Sequence, residues 1–557
     1  MITSGSRDDG PPANQPIGAA TSNPTVQPNS EPAQIAALAS GSDKPMARAA
    51  LFGTLWMMVS AVAGKGLGLL AQLILAALLT KDEFGVYAIA LSLMTAATVL
   101  RDGGIRQLLV QRSGEYDSLI GPITWMALTF NVITALILVG MGPIAAIVYD
   151  RTDLMYILAI MGLGVVLSTP SAVLSSRLLI ELRFRELAWM GVASSFLRYG
   201  SSVVMAYFGF GALSFVLPIP LVGILEWIWL KTLNPDKVWR QSAQVGRWMG
   251  LIKDVRWILI GSLGTALINM GNYSVVGLFV EKSIVGVYFF AYQIVVQVGV
   301  LVSANINQVL FPIFSGMQDP ARQRSAVGRA IRQLMLAATP LGMALVPMFP
   351  GIEMALWNGR WADAVKTVMI IAAFYPISVV IAVPYAALQA SGKFKAWALL
   401  LIALGAFIML AGAAGARIGG TADSIALFSS VALALGSLAF TWLGLRHLRF
   451  TITHVAMMTL PAWVIGLAGA GVGLIVNTQL ELLAAQWPAA ILSGRAGAVL
   501  RAVAAGASFS IVYGLLARIV MPAAVADAAS MLPSRIRPLA RRILLLKQPA
   551  APITTPP

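Results

Sequence analysis

Of the 557 residues, 58% are hydrophobic and only 11% charged, and the mean hydropathy is +0.80. A soluble domain carries about a quarter charged residues, so a water-facing fold is excluded and an all-α polytopic membrane protein is expected. The absence of cysteine excludes disulfides and thiolate metal sites. The net charge of +16 says nothing about nucleic acid until it is mapped onto the spans.

Residues 1–45 are rich in Pro, Asn, Ser, Gly and Ala and hold no apolar stretch that could form a core. They read as a disordered tail on the cytoplasmic side, and no signal-peptide pattern is present. Crossing the hydrocarbon core takes about 20 apolar residues. Fourteen runs qualify, near 51–79, 84–100, 119–141, 154–176, 187–208, 211–230, 255–279, 285–308, 332–352, 366–388, 396–416, 424–444, 455–476 and 498–520. Stretch 477–497 is mixed, and part of it is read as lying flat on the membrane. With a cytoplasmic amino terminus, 29 of the 39 Lys and Arg fall on inward segments, including six in 231–256. Eight fall on outward loops: Lys81, Arg151, Lys282, Arg360, Lys366, Arg417, Arg495 and Arg501. This is the positive-inside bias. The excess charge therefore coats the cytoplasmic face, where anionic lipids attract it, and nucleic acid is not required. Both termini are expected to be cytoplasmic.

The stretch TKDEFGVYAIALSL at 80–93 is echoed by EKSIVGVYFFAYQI at 281–294. Lys81/Lys282, Gly85/Gly286, Val86/Val287, Tyr87/Tyr288 and Ala90/Ala291 are identical, and each segment opens the second span of a six-span unit. Two parallel six-helix repeats around a central cavity follow, a plan that puts the substrate between the halves. The expected layout is an N-lobe at 46–230, a cytoplasmic connection at 231–254 and a C-lobe at 255–446. Two extra spans follow at 447–521, then a basic cytoplasmic tail at 522–557.

The sequence resembles the polysaccharide-transporter branch of the multidrug/oligosaccharidyl-lipid/polysaccharide flippases. The likeness is carried by GLLAQLILAALLTKDEFGVYAIAL and RDGGIRQLLVQR around spans one and two, and by SSRLLIELRFRELA after span four. GVYFFAYQI and LFPIFSG around span eight and ALQASGKFK after span ten complete it. The long polar tail departs from the family's usual short start. The resemblance implies a bacterial inner-membrane flippase that carries undecaprenyl-pyrophosphate-linked oligosaccharide between rocking lobes. It also implies bilayer lipids as partners, a candidate link to a polysaccharide polymerase or glycosyltransferases, and no cofactor.

Lys65 lies near the middle of span one, about 20 Å from either end at 1.5 Å per residue. A buried cation there costs several kcal/mol unless it meets water, an anion or polar partners. Two roles fit: a lysine bonded to carbonyls, or a cation holding the lipid pyrophosphate. The resemblance favours the second, because related peptidoglycan-precursor flippases carry a basic residue in this region. Arg198 is similarly deep in span five. It either pairs with Glu226 in span six, although the two differ in depth by about 9 Å, or it is a second anion contact and Glu226 a candidate coupling residue. Arg101 and Arg106, at the inner end of span two, either draw phosphate to the cavity mouth or are ordinary flanking charge. Asn269 and Asn272, and Gln293 and Gln297, each share a helix face. They suit either sugar hydroxyls or interhelical hydrogen bonds.

GKGLGLLA at 64–71 imitates a dinucleotide loop without its strand context, and no Walker-type loop is present. His447 and His454 lack the carboxylate or cysteine support of a metal or catalytic site. The chain reads as a transporter and not an enzyme. A polymerase or glycosyltransferase, and an antiporter of the multidrug branch, are the competing readings. Polymerases favour a large outward loop, whereas these are short; antiporters favour acidic cavities, and this one is basic.

Overall fold

The computed structural model describes residues 44–97, 116–233, 241–303, 306–317, 319–486 and 494–531. Arg101, Arg106, residues 1–43 of the polar tail and residues 532–557 of the basic tail lie outside them. Every regular element among the described residues is helical. The first half comprises α1 (Lys44–Leu78), α2 (Lys81–Ala97), α3 (Tyr116–Val148), α4 (Asp153–Leu167), α5 (Thr169–Ile180), α6 (Phe184–Tyr207) and α7 (Pro218–Leu233). The second comprises α8 (Trp248–Met270), α9 (Asn272–Val276), α10 (Lys282–Ser303), α11 (Ile306–Ser315), α12 (Pro320–Met343), α13 (Leu345–Trp357), α14 (Ala362–Val379), α15 (Ala382–Ala390), α16 (Phe394–Gly419) and α17 (Ala422–Leu445). Then come α18 (Ile452–Gln486), α19 (Gly494–Val520) and α20 (Pro522–Met531).

Ten segments among the described residues are long and apolar enough to cross a membrane, against fourteen expected. The second, fifth, seventh and eighth expected spans correspond to α2, α6, α8 and α10. The reasons they fall short differ. α2 and α10 border undescribed residues, whereas α6 carries Arg185, Glu186 and Arg198 and α8 carries Lys253, Asp254 and Arg256, which lower the mean hydropathy. Two boundaries move. The seventh helix begins at Trp248, seven residues earlier than expected, and α18 runs unbroken to Gln486 through the start of the mixed 477–497 stretch. The expected spans four, seven, nine and ten are each two helices, bent at Ser168, Gly271, Ala344 and Val380–Ile381.

The twofold plan is visible in the packing. α1 packs along α6, and in the second half α8 packs along α16. In the first pair Gly64 and Gly68 admit Ser195 and Tyr199; in the second Gly261 and Gly264 admit Trp397 and Leu401. The α5–α6 and α15–α16 corners close with the same bonds. The Arg183 amide donates to Leu178 O at 2.8 Å and the Lys393 amide to Leu388 O at 2.9 Å, with Leu182 (φ 57°) and Gly392 (φ 67°) in the left-handed region.

The echoed segments meet face to face. α2 starts with a capping box in which the Glu83 amide donates to Thr80 Oγ1 at 3.3 Å and the Thr80 amide to Glu83 Oε2 at 2.7 Å. It then crosses α10 at Gly85 and Gly286. A Cβ on Gly85 would overlap the Lys282 carbonyl oxygen, and one on Gly286 would overlap the Lys81 carbonyl oxygen. That reciprocity puts the pseudo-twofold axis through the two glycines. Only residues without a side chain permit such a close backbone approach.

Candidate functional site

Loops expected to face outward gather at this end. Lys81 Nζ pairs with Asp363 at 2.7 Å, Arg151 with Asp82 and with Asp153 at 2.8 Å, and Lys366 with Asp423 at 3.5 Å. We call it the outer end. The turn after α13, Trp357-Asn-Gly-Arg-Trp361, reaches across from the second half and caps the carbonyls that finish α1. The last carbonyls of a helix lack intrahelical partners, as Ala76, Ala77 and Leu79 do here, while Leu73 lies a turn deeper in α1. Trp357 Nε1 donates to Leu73 O at 3.1 Å, Trp361 Nε1 to Ala76 O at 2.8 Å and Arg360 Nη2 to Leu79 O at 2.7 Å; Arg360 Nη1 also donates to Ala77 O. Asn358 and Gly359, at φ 54° and 86°, make the reversal, and the buried Glu353 carboxylate fixes it by accepting the Trp361 amide at 2.8 Å. Below this clamp lies an aromatic layer: Phe290 stacks on Trp361 with centroids 4.0 Å apart, and Tyr87 on Phe215 at 4.2 Å.

Trp361→Phe deletes the indole N–H and shortens a fully buried ring. The lost hydrogen bond alone is about 1 kcal/mol, or roughly a fivefold shift toward states with the outer end parted, and the cavity left behind adds to it. The modification rate of a cysteine at the buried Val287 should rise by at least that factor.

Exposure along α1 reveals what lies beneath. Val59, Val62, Leu70 and Ile74 are exposed apolar residues on one side of the helix, the pattern of a lipid-facing surface. Gln72, Leu75, Ala76 and Leu79 form the other side and are buried. By the 3.6-residue period Lys65 belongs to this second side, yet it is exposed. The face that is sealed at the outer end is therefore open lower down, at the level of Lys65. On α6 the exposed Trp189, Phe196, Val204 and Tyr207 mark the lipid side, and Arg198 sits opposite them, also exposed. The register of Gly64 on Ser195 and Gly68 on Tyr199 sets Arg198 level with Leu67. It is thus within about 3 Å of the height of Lys65, at 1.5 Å per residue.

Among the described residues no ion pair involves Lys65 or Arg198. Glu226 is half-buried on α7, and the structure does not join it to Arg198. Arg198 instead lies beside the Tyr87 hydroxyl. It lines a cavity of about 100 Å³ under the aromatic layer, together with Gln72, Tyr87, Phe215, Gln293 and Gln297. Among the described residues no carboxylate lines this cavity.

The amides divide. Gln293 and Gln297 reach the cavity, but the asparagines are committed elsewhere: Asn272 is 4% exposed and donates to the Tyr288 hydroxyl at 2.9 Å, and Asn269 donates to its own helix at Thr265 O, 2.8 Å. Gln72 escaped the sequence reading because one glutamine in an apolar helix carries no spacing signal. Its place on the Lys65 face was the available clue.

The fold is that of a class of membrane transporters. It is similar to a structure titled lipid II flippase MurJ in an inward closed conformation, with a TM-score of 0.65 and 11% identity over 84% of this chain and 100% of that one. It is also similar to an inward-facing MATE transporter of the MOP superfamily, with a TM-score of 0.51 and 12% identity over 69% and 94%. The sequence profile of the family described as "Polysaccharide biosynthesis protein" matches residues 74–366. That is just over half of the chain, which belongs to this family.

Among curated relatives, the teichuronic acid biosynthesis protein TuaB of Bacillus subtilis is 22% identical over 50% of this chain and 58% of its own length. The succinoglycan biosynthesis transport protein ExoT of Rhizobium meliloti is 23% identical over 56% and 63%. The lipopolysaccharide biosynthesis protein WzxC of Escherichia coli is 22% identical over 48% and 54%. The chain thus matches less than two thirds of the length of each.

Proposed function

We propose that the chain is a flippase that moves a polyprenyl-pyrophosphate-linked oligosaccharide across the bacterial inner membrane by alternating access, for surface or exopolysaccharide synthesis. Lys65, assisted by Arg198, holds the pyrophosphate, and the prenyl tail stays in the bilayer. Gln293 and Gln297 face the glycan from the other half. Release outside requires the Gly85–Gly286 crossing and the Trp357–Trp361 clamp to part. The observation that carries this reading is a pair of cations at matching depth, on helix faces turned from lipid, with no carboxylate among the described residues paired to either. Charge so deep is tolerable only beside water or an anion. The family membership and the named functions of the relatives support the substrate class. Arg101 and Arg106 remain part of the proposal as contacts at the cavity mouth, and Glu226 as a coupling residue.

Lys65→Ala and Arg198→Ala should each abolish glycan export, by at least a hundredfold, with protein level unchanged. Full export by the double variant would refute the cationic site. Sidedness separates the flippase from a polymerase: a deletion strain should accumulate lipid-linked repeat units on the cytoplasmic face, and single units stranded outside would favour the polymerase.

A further inference from the structure

Gln72 is 9% exposed, and its Nε2 is a buried donor with no hydrogen-bond partner. An unmet buried donor costs about 1–3 kcal/mol, so a fold that keeps one beside a cavity has a group ready to lend. Gln72 comes from the first half, and Gln293 and Gln297 from the second; all three amides line the same cavity of about 100 Å³. A single water needs roughly 10–15 Å³, so there is room for one small ring with its substituents and not for two. The roof is the flat pair of Tyr87 and Phe215, stacked at 4.2 Å. Amides that both donate and accept, next to an aromatic face, match a pyranose, whose hydroxyls radiate from a ring with an apolar C–H face. A phosphoryl group would use the guanidinium but would leave three amides and the aromatic roof without a purpose.

Height adds a second argument. Gln72 lies seven residues above Lys65, about 10 Å at 1.5 Å per residue. A diphosphate held at Lys65 puts the ring attached to it, or the next one, at the level of Gln72.

We propose that this cavity is a single-ring carbohydrate subsite shared by the two halves of the molecule, and that Gln72 is a specificity-determining residue that bonds a hydroxyl or acetamido oxygen of that ring. The proposal rests on the flippase reading and refines it: the lipid diphosphate and the sugar occupy separate levels of one cavity. Because the ring touches both halves, parting them at the outer end strips away half of its partners, which ties release to opening.

The test uses the full chain in lipid nanodiscs, with binding followed by thermal shift for a panel of methyl pyranosides (glucose, galactose, mannose and the two N-acetylhexosamines) and, separately, for inorganic pyrophosphate. At least one pyranoside should stabilise the protein. Gln72→Met, nearly equal in volume but without polar atoms, should weaken that binding at least tenfold and change pyrophosphate binding less than twofold. Lys65→Ala should do the reverse. Gln293→Leu, on the opposite half, gives an independent reading should Gln72→Met lower the ligand-free melting temperature.

A loss of pyrophosphate binding in Gln72→Met with pyranoside binding intact would make the cavity a phosphoryl site and overturn the proposal. A wild-type protein that binds pyrophosphate but no pyranoside would overturn it too, while leaving the flippase reading standing. That reading fails separately, through normal export by the Lys65→Ala, Arg198→Ala double variant.

Discussion

Replacing Gly85 with leucine should stop glycan export, by at least a hundredfold, while the protein still accumulates in the membrane. A Cβ at this position meets the Lys282 carbonyl oxygen, a backbone atom that cannot swing aside as a side chain would. α2 and α10 would have to move out toward the 8–10 Å separation of ordinary helix pairs, which breaks the seal that the glycines allow. The clash lies between the two halves and not within either, so each half retains its own packing. A cysteine at the buried Val287 reports the outcome: it should be modified from outside in the Gly85→Leu protein and protected in the wild type. Gly286→Leu should behave identically, because the contact is reciprocal. Gly66 is the control, since a Cβ there meets nothing within 4 Å, and Gly66→Leu should export normally. Normal export by Gly85→Leu would mean that the outer end need not close, and alternating access would fall with it.

The second large effect is a reversible lock. The chain has no cysteine, so Lys81→Cys with Asp363→Cys supplies the only two thiols. The native side chains meet at 2.7 Å across the outer end, and both are partly exposed. Losing such a surface pair costs about 0–1 kcal/mol, so the unlinked double variant should export nearly as well as wild type. Bridging the thiols with a short methanethiosulfonate cross-linker should halt export in the same cells, and reductant should restore it. Undiminished export by the cross-linked protein would show that this end does not part during transport.

Much of the frame was legible because it obeys periodic rules. Apolar runs gave the helices, and the shared Gly-Val-Tyr gave the two copies, whose meaning emerged only when Gly85 and Gly286 proved to touch. The site was legible in part. Lys65 and Arg198 stood out because deep charge is costly, whereas the Asn269–Asn272 and Gln293–Gln297 pairs looked alike and Gln72 carried no spacing signal. Whether an amide faces a cavity or donates to Tyr288 depends on helix rotation, which apolar stretches do not specify. The Trp357–Trp361 clamp was hidden for a similar reason: aromatic and basic residues at a loop are the usual dress of a membrane interface, and nothing local says that these reach another helix. Of the bends, the one at Gly271 had no mark in the sequence, whereas those at Ser168, Ala344 and Val380–Ile381 lie within about one helical turn of Pro170, Pro340, Pro376 and Pro384.

The matching α5–α6 and α15–α16 corners carry one last implication. Both adopt the same left-handed turn, but one uses Gly392 and the other Leu182. A branched side chain in that conformation costs roughly 1–2 kcal/mol, and glycine pays nothing comparable. The duplicated architecture is thus energetically lopsided. The half that bears Lys65 and Arg198 holds its corner like a bent spring, while its twin rests slack, so deformation during a transport cycle should begin on the cation-bearing side.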